Sequence, residues 1–359
     1  MKIPRELKTE IKILKAYHGD CILIKTYDQL ENEFNILIDG GTANTFDYFL
    51  SKELKNINTI HLLVLTHIDS DHIAGLIRFM KNTLFDKIEI KKYWINTPNL
   101  LKVSSGSKIS YNQGKTFEKL LIEKGEQNTK WKDKIESFTR IELAQGIETE
   151  ILSPTEGVLK NLFDKWPEIS TERNDSLTNV PISGGAESQV KKGSLEELAN
   201  KPFAPDKTIE NDVFNSSSIA FVLKLIDCSI LLLGDSRPEI LVESLKKMGK
   251  TNKGKLVVDY VKVSHHGSIN NTSCELLDLI ECDNYIFSTN GGNSNHKHPD
   301  REVIARIIHH PNRDYSKTKT IYFNYPLLEI QDKSGVLFNA DDFKTGNWII
   351  KDGINSLPI

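Results

Sequence analysis

The feature that most constrains the fold is an apolar segment that leads directly into a cluster of ionisable side chains. Residues 60–65 have the apolar composition and the length of a buried strand. The cluster follows at once and contains four side chains that can bind a metal ion: His67, Asp69, Asp71 and His72. Because residues 73–81 then show helical spacing, the cluster lies on a predicted strand-to-helix turn, where a rigid scaffold presents side chains to a cleft.

Imidazole and carboxylate groups in such a turn are typical metal ligands. Imidazole suits ions such as Zn²⁺, and carboxylate favours harder ions such as Mn²⁺ and Mg²⁺. Alternate residues of a tight turn face different sides, so His67 and Asp69 can bind one ion while Asp71 and His72 bind a neighbouring one. The alternative is a solvated loop in which Asp69 or the serine after it caps the helix.

Alternating strands and helices along the chain indicate an α/β fold. Strands are predicted at residues 10–15, 21–26, 34–38, 218–225, 230–233, 260–263 and 285–288, with a hairpin at 140–153. Helices are predicted at residues 45–54, 116–124 and 156–166. Two strands end near Asp235 and His265, which add ligand-type side chains. The length of 359 residues predicts one large domain, 1–359, with a partly disordered surface insertion at about 160–210 and a strand-rich extension at about 315–359.

The composition excludes several classes of protein. Forty-six lysines and arginines against 49 acidic residues give a net charge of −3, which excludes a generally basic nucleic-acid coat. No apolar run reaches the ~18–20 residues of a membrane helix, and residues 1–8 lack the apolar region of a secretory signal. The four cysteines form no CxxC motif. We therefore expect a cytoplasmic protein with reduced thiols.

The turn at residues 66–72 resembles the signature of the metallo-β-lactamase superfamily, in which an HxHxDH motif follows an apolar strand. Further segments match that superfamily in order: 37–41, which ends in Asp-Gly-Gly, 232–235, which ends in Gly-Asp, and 263–268, which contains His-His-Gly-Ser. The chain is most similar to the soluble hydrolase domain of ComEC-type competence proteins and their stand-alone relatives. That branch has HxDxDH in the turn, a Gly-Asp before an early apolar strand, KVxHHGS, and a late His-Pro, found here at 66–72, 19–24, 262–268 and 298–299.

The resemblance spans roughly residues 10–310 and implies an αββα sandwich with a metal centre between two sheets. It implies two divalent ions, Mn²⁺ or Zn²⁺, and assigns a ligand set: His67 and Asp69 to the first ion, Asp71, His72 and His265 to the second, and Asp235 as a bridge. It also implies that Asp39 orients a ligand. The alternative for Asp39 is an ordinary turn aspartate before two glycines.

One departure from the pattern affects the first ion. The superfamily usually has a histidine shortly before the strand that precedes Gly-Asp, and here that region contains Asn215 instead. Its amide oxygen would make the first site oxygen-rich, which favours Mn²⁺. Among nearby residues, His266 and His298 are candidates for catalysis with Asp71, as phosphate contacts or acids, and Ser268 is a candidate phosphate contact. A structural role is the alternative for both histidines, and turn capping for the serine.

The predicted chemistry is hydrolysis by metal-activated water, because the sequence contains neither a GxSxG motif nor a phosphate-binding P-loop. The resemblance implies a phosphodiesterase or nuclease that acts on DNA. Lysines and aromatic residues between 102 and 134 could follow a nucleic-acid backbone, or could form a solvated face balanced by acidic residues. Two alternatives remain: hydrolysis of a small substrate such as a cyclic nucleotide or thioester, and a catalytically weak module that binds a protein through the 160–210 insertion.

Overall fold

The computed structural model describes residues 8–96, 112–126, 134–172, 193–292 and 297–359. The strands in the first part of the chain are β1 (Glu10–Ile13), β2 (Ile22–Tyr27), β3 (Glu33–Ile38), β4 (Thr59–Ile60), β5 (Leu62–Val64), β6 (Glu89–Ile90) and β7 (Tyr93–Trp94). Five of them form one sheet in the order β1-β2-β3-β5-β7. The pairs β1–β2 and β2–β3 are antiparallel, whereas β3–β5 and β5–β7 are parallel.

The later strands build a second, larger sheet. They are β8 (Arg140–Ala144), β9 (Ile147–Ser153), β10 (Ala220–Lys224), β11 (Ser229–Leu232), β12 (Leu256–Val257), β13 (Tyr260–Lys262), β14 (Ile280–Glu281), β15 (Asn284–Phe287), β16 (Lys319–Phe323) and β17 (Trp348–Lys351). Eight of them pair in the order β17-β16-β15-β13-β11-β10-β9-β8. From β11 to β17 the pairs are parallel, so these strands end at the same edge of the sheet.

Helices flank both sheets. They are α1 (Ala43–Thr45), which continues through a π-helical turn (Phe46–Leu50) into α2 (Ser51–Leu54), then α3 (Ser70–Met80), α4 (Asn112–Glu123), α5 (Glu156–Glu172), α6 (Leu195–Ala199), α7 (Val213–Ser216), α8 (Pro238–Lys247), α9 (Cys274–Asp278), α10 (Arg301–Ile308) and α11 (Leu327–Ser334). Short 3₁₀ turns occupy Phe85–Lys87, Ser264–Gly267 and Ala340–Phe343. Among the described residues, we find no helix with the length and apolar character that a membrane crossing requires.

Three apolar layers hold these elements together, because each strand alternates its side chains between two buried faces. Ile24 and Ile36 of the first sheet meet Phe221 and Leu232 of the second in the central layer. An outer layer packs α3, α4 and the start of α5 on the first sheet, and another packs α8, α9 and α10 on the second. The predicted αββα arrangement is confirmed.

The described parts of the predicted 160–210 insertion differ from a surface loop. Leu162 of α5 is buried in the outer layer on the first sheet, while Leu195 and Leu198 of α6 are buried on the second. A short amphipathic helix can bury two leucines although the sequence around it is polar. The central part of that segment, 173–192, lies outside the described residues. The C-terminal extension supplies β16 and β17 to the second sheet, with α11 and a 3₁₀ turn between them.

Candidate metal centre

Strand ends of both sheets deliver polar residues to one side of the sandwich. Asp39 follows β3, and the turn at 66–72 follows β5 in the first sheet. Asp235 follows β11, and the turn Ser264–Gly267 follows β13 in the second sheet. Asp69 occupies the N-cap position of α3, but its side chain makes no capping hydrogen bond. The Asp69 carboxylate therefore does not cap the helix, as the alternative interpretation of this residue requires.

Four imidazole groups converge on the carboxylate of Asp235, which is 2% exposed. Its Oδ2 atom lies 3.5 Å from His72 Nε2 and 3.8 Å from His67 Nε2. The same oxygen lies 3.7 Å from His265 Nε2 and 3.9 Å from His266 Nε2. One buried carboxylate is thus shared by histidines from both sheets.

Two overlapping groups of side chains have the spacing of metal ligands. One consists of His67, His72 and Asp235, and the other of Asp71, His72 and His266; in each, the ligand atoms lie within 4.8 Å of one another. A third such group consists of Asp20, Asp39 and His72. In that group Asp39 already accepts hydrogen bonds, so the first two groups together form the candidate metal centre.

Several of these ligand atoms are buried without a hydrogen-bond partner. They are His67 Nε2, His72 Nε2, His266 Nε2 and Asp235 Oδ1. Buried polar atoms are nearly always paired in proteins, and the unpaired state costs roughly 1–3 kcal/mol each. Bound divalent cations would satisfy these atoms, and nitrogen with carboxylate oxygen is a donor set that suits Zn²⁺ or Mn²⁺. The residues present therefore fit a bound metal.

Asp39 lies behind His72 and fixes the orientation of its ring. His72 Nδ1 donates to Asp39 Oδ2 over 2.8 Å, which leaves Nε2 directed at the ligand cluster. The backbone N–H and the hydroxyl of Thr66 also donate to Asp39, over 2.8 and 2.7 Å. Asp39 has a φ of 56°, in the left-handed region that aspartate tolerates better than most residues. The structure thus gives Asp39 the contact expected of an orienting carboxylate, and adds Thr66, which the sequence did not single out.

The electrostatics of the cluster favour a bound cation. Burial lowers the pKa of His72, but neighbouring carboxylates, Asp235 foremost, outweigh it and raise that pKa well above its ordinary value. Burial is likewise outweighed at His266, where Asp20 and Asp235 raise the pKa to about 9. Burial raises the pKa of Asp71, yet the charges of His72 and His266 dominate and hold it below its ordinary value. Because carboxylates outweigh burial at both histidines, the site attracts protons and metal cations alike.

His266, rather than His265, accompanies Asp71 and His72. His266 Nε2 lies 3.5 Å from Asp71 Oδ2, whereas His265 Nδ1 lies 3.1 Å from the side-chain oxygen of Asn271. The φ angles of His265, His266 and the glycine after them are 47°, 54° and 89°, so three successive residues are left-handed. That backbone turns the second ring inward. Both histidines thus face the carboxylate of Asp235, with His265 Nε2 at 3.7 Å and His266 Nε2 at 3.9 Å from its Oδ2 atom. His266 is in addition the ring that lies beside Asp71, and the assignment of His265 to the second ion stays a prediction.

A cleft of about 370 Å³ opens onto the cluster. Asn215 lines it with a buried Oδ1 that has no hydrogen-bond partner, while its Nδ2 donates to Asp212 Oδ1 over 3.0 Å. His298 also lines the cleft, with its ring 5.3 Å from that of His265 and its Nδ1 3.3 Å from Asp300 Oδ2. Candidates from the sequence that reach the cleft are Asp69, Asp71, Asn215, Asp235, His265, His266, Ser268 and His298.

Ser268 has the contacts of a turn residue at this cleft. Its backbone N–H donates to the His265 carbonyl over 2.8 Å, and its hydroxyl accepts from Asn270 N over 3.4 Å. Sequence reasoning missed Asn271, which donates to the Asp235 carbonyl over 2.9 Å. No sequence signal marks that asparagine, because its partner lies 36 residues away.

Part of the chain matches a known family. Residues 14–178 match the model of the Metallo-beta-lactamase superfamily. The match includes Asp39 and the whole turn at 66–72 and ends before Asp235 and His266. The second half of the site therefore rests on geometry. No curated protein is similar to the chain in sequence.

Some solved structures are distantly similar. A mutant of CmlA β-hydroxylase is 12% identical at a TM-score of 0.40, over 81% of this chain; the alignment spans about half, 47%, of the CmlA chain. A proposed metal-dependent hydrolase from Parabacteroides distasonis ATCC 8503 is 10% identical at a TM-score of 0.35, over 96% of this chain and 98% of the other. A protein of unknown function from Enterococcus faecalis V583 is 12% identical at a TM-score of 0.28, over 71% of this chain and 49% of the other. At these TM-scores no inference about this chain rests on the likeness.

Proposed function

We propose that this chain, whose residues 14–178 match the metallo-β-lactamase superfamily, is a metal-dependent hydrolase with two divalent ions. Members of that superfamily are typically metal-dependent hydrolases. The observation that carries the proposal is the convergence of His67, His72 and His266 on the buried carboxylate of Asp235. These groups come from both sheets, and their inward atoms lack other partners.

The residues divide between two ions. His67, Asp69, Asn215 and Asp235 would hold the first, and Asp71, His72, His266 and Asp235 the second. When bound, such a pair of ions lowers the pKa of water toward about 7 and stabilises the charge of a hydrolytic transition state. Three carboxylates and one amide make an oxygen-rich set, so Mn²⁺ is the preferred ion and Zn²⁺ the alternative.

The chain's own groups orient the reaction. Asp39 holds His72 with Nε2 toward the cleft. Asp71 keeps its negative charge at neutral pH, because its pKa is lowered, and can accept a proton from water at the centre. His298 stands at the cleft wall, where it is placed to contact a substrate phosphate or to protonate a leaving group. His265 is the neighbouring ring and can share that role.

A phosphodiester is the proposed substrate, with DNA first among the candidates because of the ComEC-type resemblance. The described lysines of the 102–134 segment do not add support. Lys119 and Lys134 lie 3.5 and 2.8 Å from glutamates, and Lys124 pairs with Asp86. A cyclic nucleotide is the second candidate, because the cleft is about 370 Å³ and Lys207 is the one lysine among its described lining residues.

The proposal is tested by metal analysis and substrate profiling together. Native mass spectrometry under saturating Mn²⁺ or Zn²⁺ should approach two ions per chain. The loaded protein is then incubated with plasmid, single-stranded DNA, RNA and cyclic dinucleotides. Asp235→Asn should lose metal and cleavage together, whereas the exposed control Asp341→Asn should match the wild type.

Each outcome separates one part of the proposal. Saturation at less than one ion per chain would contradict the two-ion centre. Two bound ions without cleavage of any tested phosphodiester would contradict the substrate class and leave the metal centre intact. Cleavage of cyclic dinucleotides alone would favour the small-substrate candidate over DNA.

A further inference from the structure

We propose that the Gly19–Asp20 turn and Lys262 form a positioning element that holds His266 and Asp71 toward the second ion. The inference rests on the proposed two-ion function and deepens it. Neither Asp20 nor Lys262 is among the proposed metal ligands, and neither residue was assigned a role from the sequence.

Asp20 and Lys262 form an ion pair that spans the sandwich. Asp20 precedes β2 of the first sheet, and Lys262 is the last residue of β13 in the second. Lys262 Nζ contacts Asp20 Oδ2, and the two residues are only 1% and 2% exposed. A charge buried this deeply requires its partner, so neither group can move away alone. The pair therefore fixes Asp20 relative to the strand that leads into the His266 turn.

The second carboxylate oxygen of Asp20 faces the His266 ring. Asp20 Oδ1 has no hydrogen-bond partner and lies 3.5 Å from His266 Nδ1. The same nitrogen lies 2.9 Å from the carbonyl oxygen of Ser288, which is its direct acceptor. With Nδ1 engaged on this side, Nε2 points at Asp71 Oδ2, 3.5 Å away. The ring is thus held from behind by one charge and one carbonyl.

The backbone of the same turn holds Asp71. The Asp20 N–H donates to the Asp71 carbonyl over 3.3 Å. A Cβ atom at Gly19 would lie 1.8 Å from that carbonyl oxygen, so only glycine permits the approach. The Ser288 hydroxyl donates to the Gly19 carbonyl over 3.0 Å and ties the turn to the strand end beside His266. One short turn therefore supports two ligands of the same ion.

The position of Asp20 behind His266 is similar to that of Asp39 behind His72. There the carboxylate of Asp39 engages Nδ1 and leaves Nε2 for the metal, and a carboxylate behind an imidazole both orients the ring and strengthens it as a ligand. Asp20 stands behind His266 in the corresponding way, at a longer distance and with Lys262 as counter-ion. Removal of such a group typically weakens metal binding 10–100-fold.

The test removes the pair without leaving a buried charge. Asp20→Leu combined with Lys262→Met replaces both ions with apolar groups of similar size, a change that folded proteins commonly tolerate. We expect the metal-free melting temperature to stay near wild type, the first Mn²⁺ to bind as in wild type, and the second to bind about 10–100-fold more weakly in a chelator competition. The control is Asp283→Leu with Lys319→Met, an ion pair at 2.6 Å between the residue before β15 and the first residue of β16, outside the cleft lining.

A second measurement reads the position of the ring without any metal. The Cε1–Hε1 resonance of His266 in the metal-free protein, assigned with His266→Gln, should be a single displaced peak in the wild type. In the Asp20→Leu/Lys262→Met variant it should shift toward free imidazole or broaden, and in the control variant it should not change. If the wild type binds only one ion, the two-ion function fails and this resonance still decides the positioning role.

Unchanged results overturn the inference. A folded double variant that keeps both its second-ion affinity within twofold and its His266 resonance would show that the Ser288 carbonyl alone holds the ring. If the double variant does not fold, Asp20→Asn combined with Lys262→Gln replaces it, because two amides keep polar side chains that can hydrogen-bond and leave no buried charge. Wild-type values for that variant in both measurements would equally refute a positioning role for Asp20.

Discussion

Asp39→Asn is the perturbation that most sharply tests how the site is built. The amide has the size of the carboxylate, and asparagine tolerates the φ of 56° at this position, so the backbone should stay in place. The carboxylate accepts three hydrogen bonds, two from Thr66 and one from His72 Nδ1. An asparagine has one acceptor oxygen, which can retain the Thr66 backbone bond. Its NH₂ group must then face the Thr66 hydroxyl and the His72 ring.

The substitution should change which nitrogen of His72 carries a proton. The hydroxyl of Thr66 can rotate and accept, but His72 Nδ1 can accept from the amide only if its proton is moved to Nε2. A protonated Nε2 cannot bind a metal ion. Loss of a positioning partner of this kind typically lowers metal affinity 10–100-fold, or about 1.4–2.8 kcal/mol. Replacing three charge-assisted hydrogen bonds with neutral ones should cost roughly 2–3 kcal/mol of the free energy of unfolding.

Two measurements check these values against a matched control. Chelator competition with Mn²⁺ or Zn²⁺ gives the affinity, and urea unfolding of the metal-free protein gives the free energy. Asp47→Asn is the control, because that aspartate is partly exposed and its carboxylate contacts Arg78 at 3.2 Å on the helical side of the first sheet. An Asp39→Asn protein that binds metal as tightly as the control would refute the orienting role and the reasoning about the imidazole proton.

Three further predictions concern catalysis, pH and packing. Asp71→Asn should keep its metal-free melting temperature and lose at least ~100-fold in cleavage rate, and near wild-type cleavage would contradict its role. Metal affinity should rise up to about pH 9, because His266 must lose its proton to bind; the His266→Gln variant should show a shallower dependence, since the raised pKa of His72 remains. The folding stability of the metal-free protein should change with pH in the opposite direction. Because the folded state raises the pKa of His266, the protonated ring adds its full stability below pH 6.5, the ordinary pKa, and this contribution is lost as pH rises through about 9. Urea unfolding across that pH range checks this. Leu198→Ala should cost ~2–5 kcal/mol in urea unfolding, whereas the exposed control Lys201→Ala should cost little; equal costs would mean that α6 does not belong to the core.

Much of the layout could be read from local patterns. The apolar run at 60–65 and the ligand-type turn after it are β5 and the start of α3, because both signals depend on neighbours within a few residues. Other predicted strands lie within a few residues of the observed ones for the same reason, including the hairpin around Gly146. Strand ends with polar residues then indicated which side of the sandwich would carry the site.

The packing of the 160–210 segment could not be read in this way. Its polar composition predicted a surface insertion, yet Leu195 and Leu198 are buried against the second sheet beside α10. Two leucines in a helix of five residues give little periodic signal, and the surface they cover is built from residues about a hundred positions later. A local pattern cannot show that such a surface exists.

The sequence by itself determined the kinds of ligand and the strand ends on which they stand, because residue chemistry and strand periodicity are local properties. Only the tertiary structure decided which of two adjacent histidines faces Asp71, since that depends on left-handed backbone angles at His265 and His266. It alone also brought Asp20 to Lys262, 242 residues apart, and put that pair behind the inward ring. Contacts across two sheets form when both sheets bury their apolar faces against each other, and no spacing within one segment encodes them.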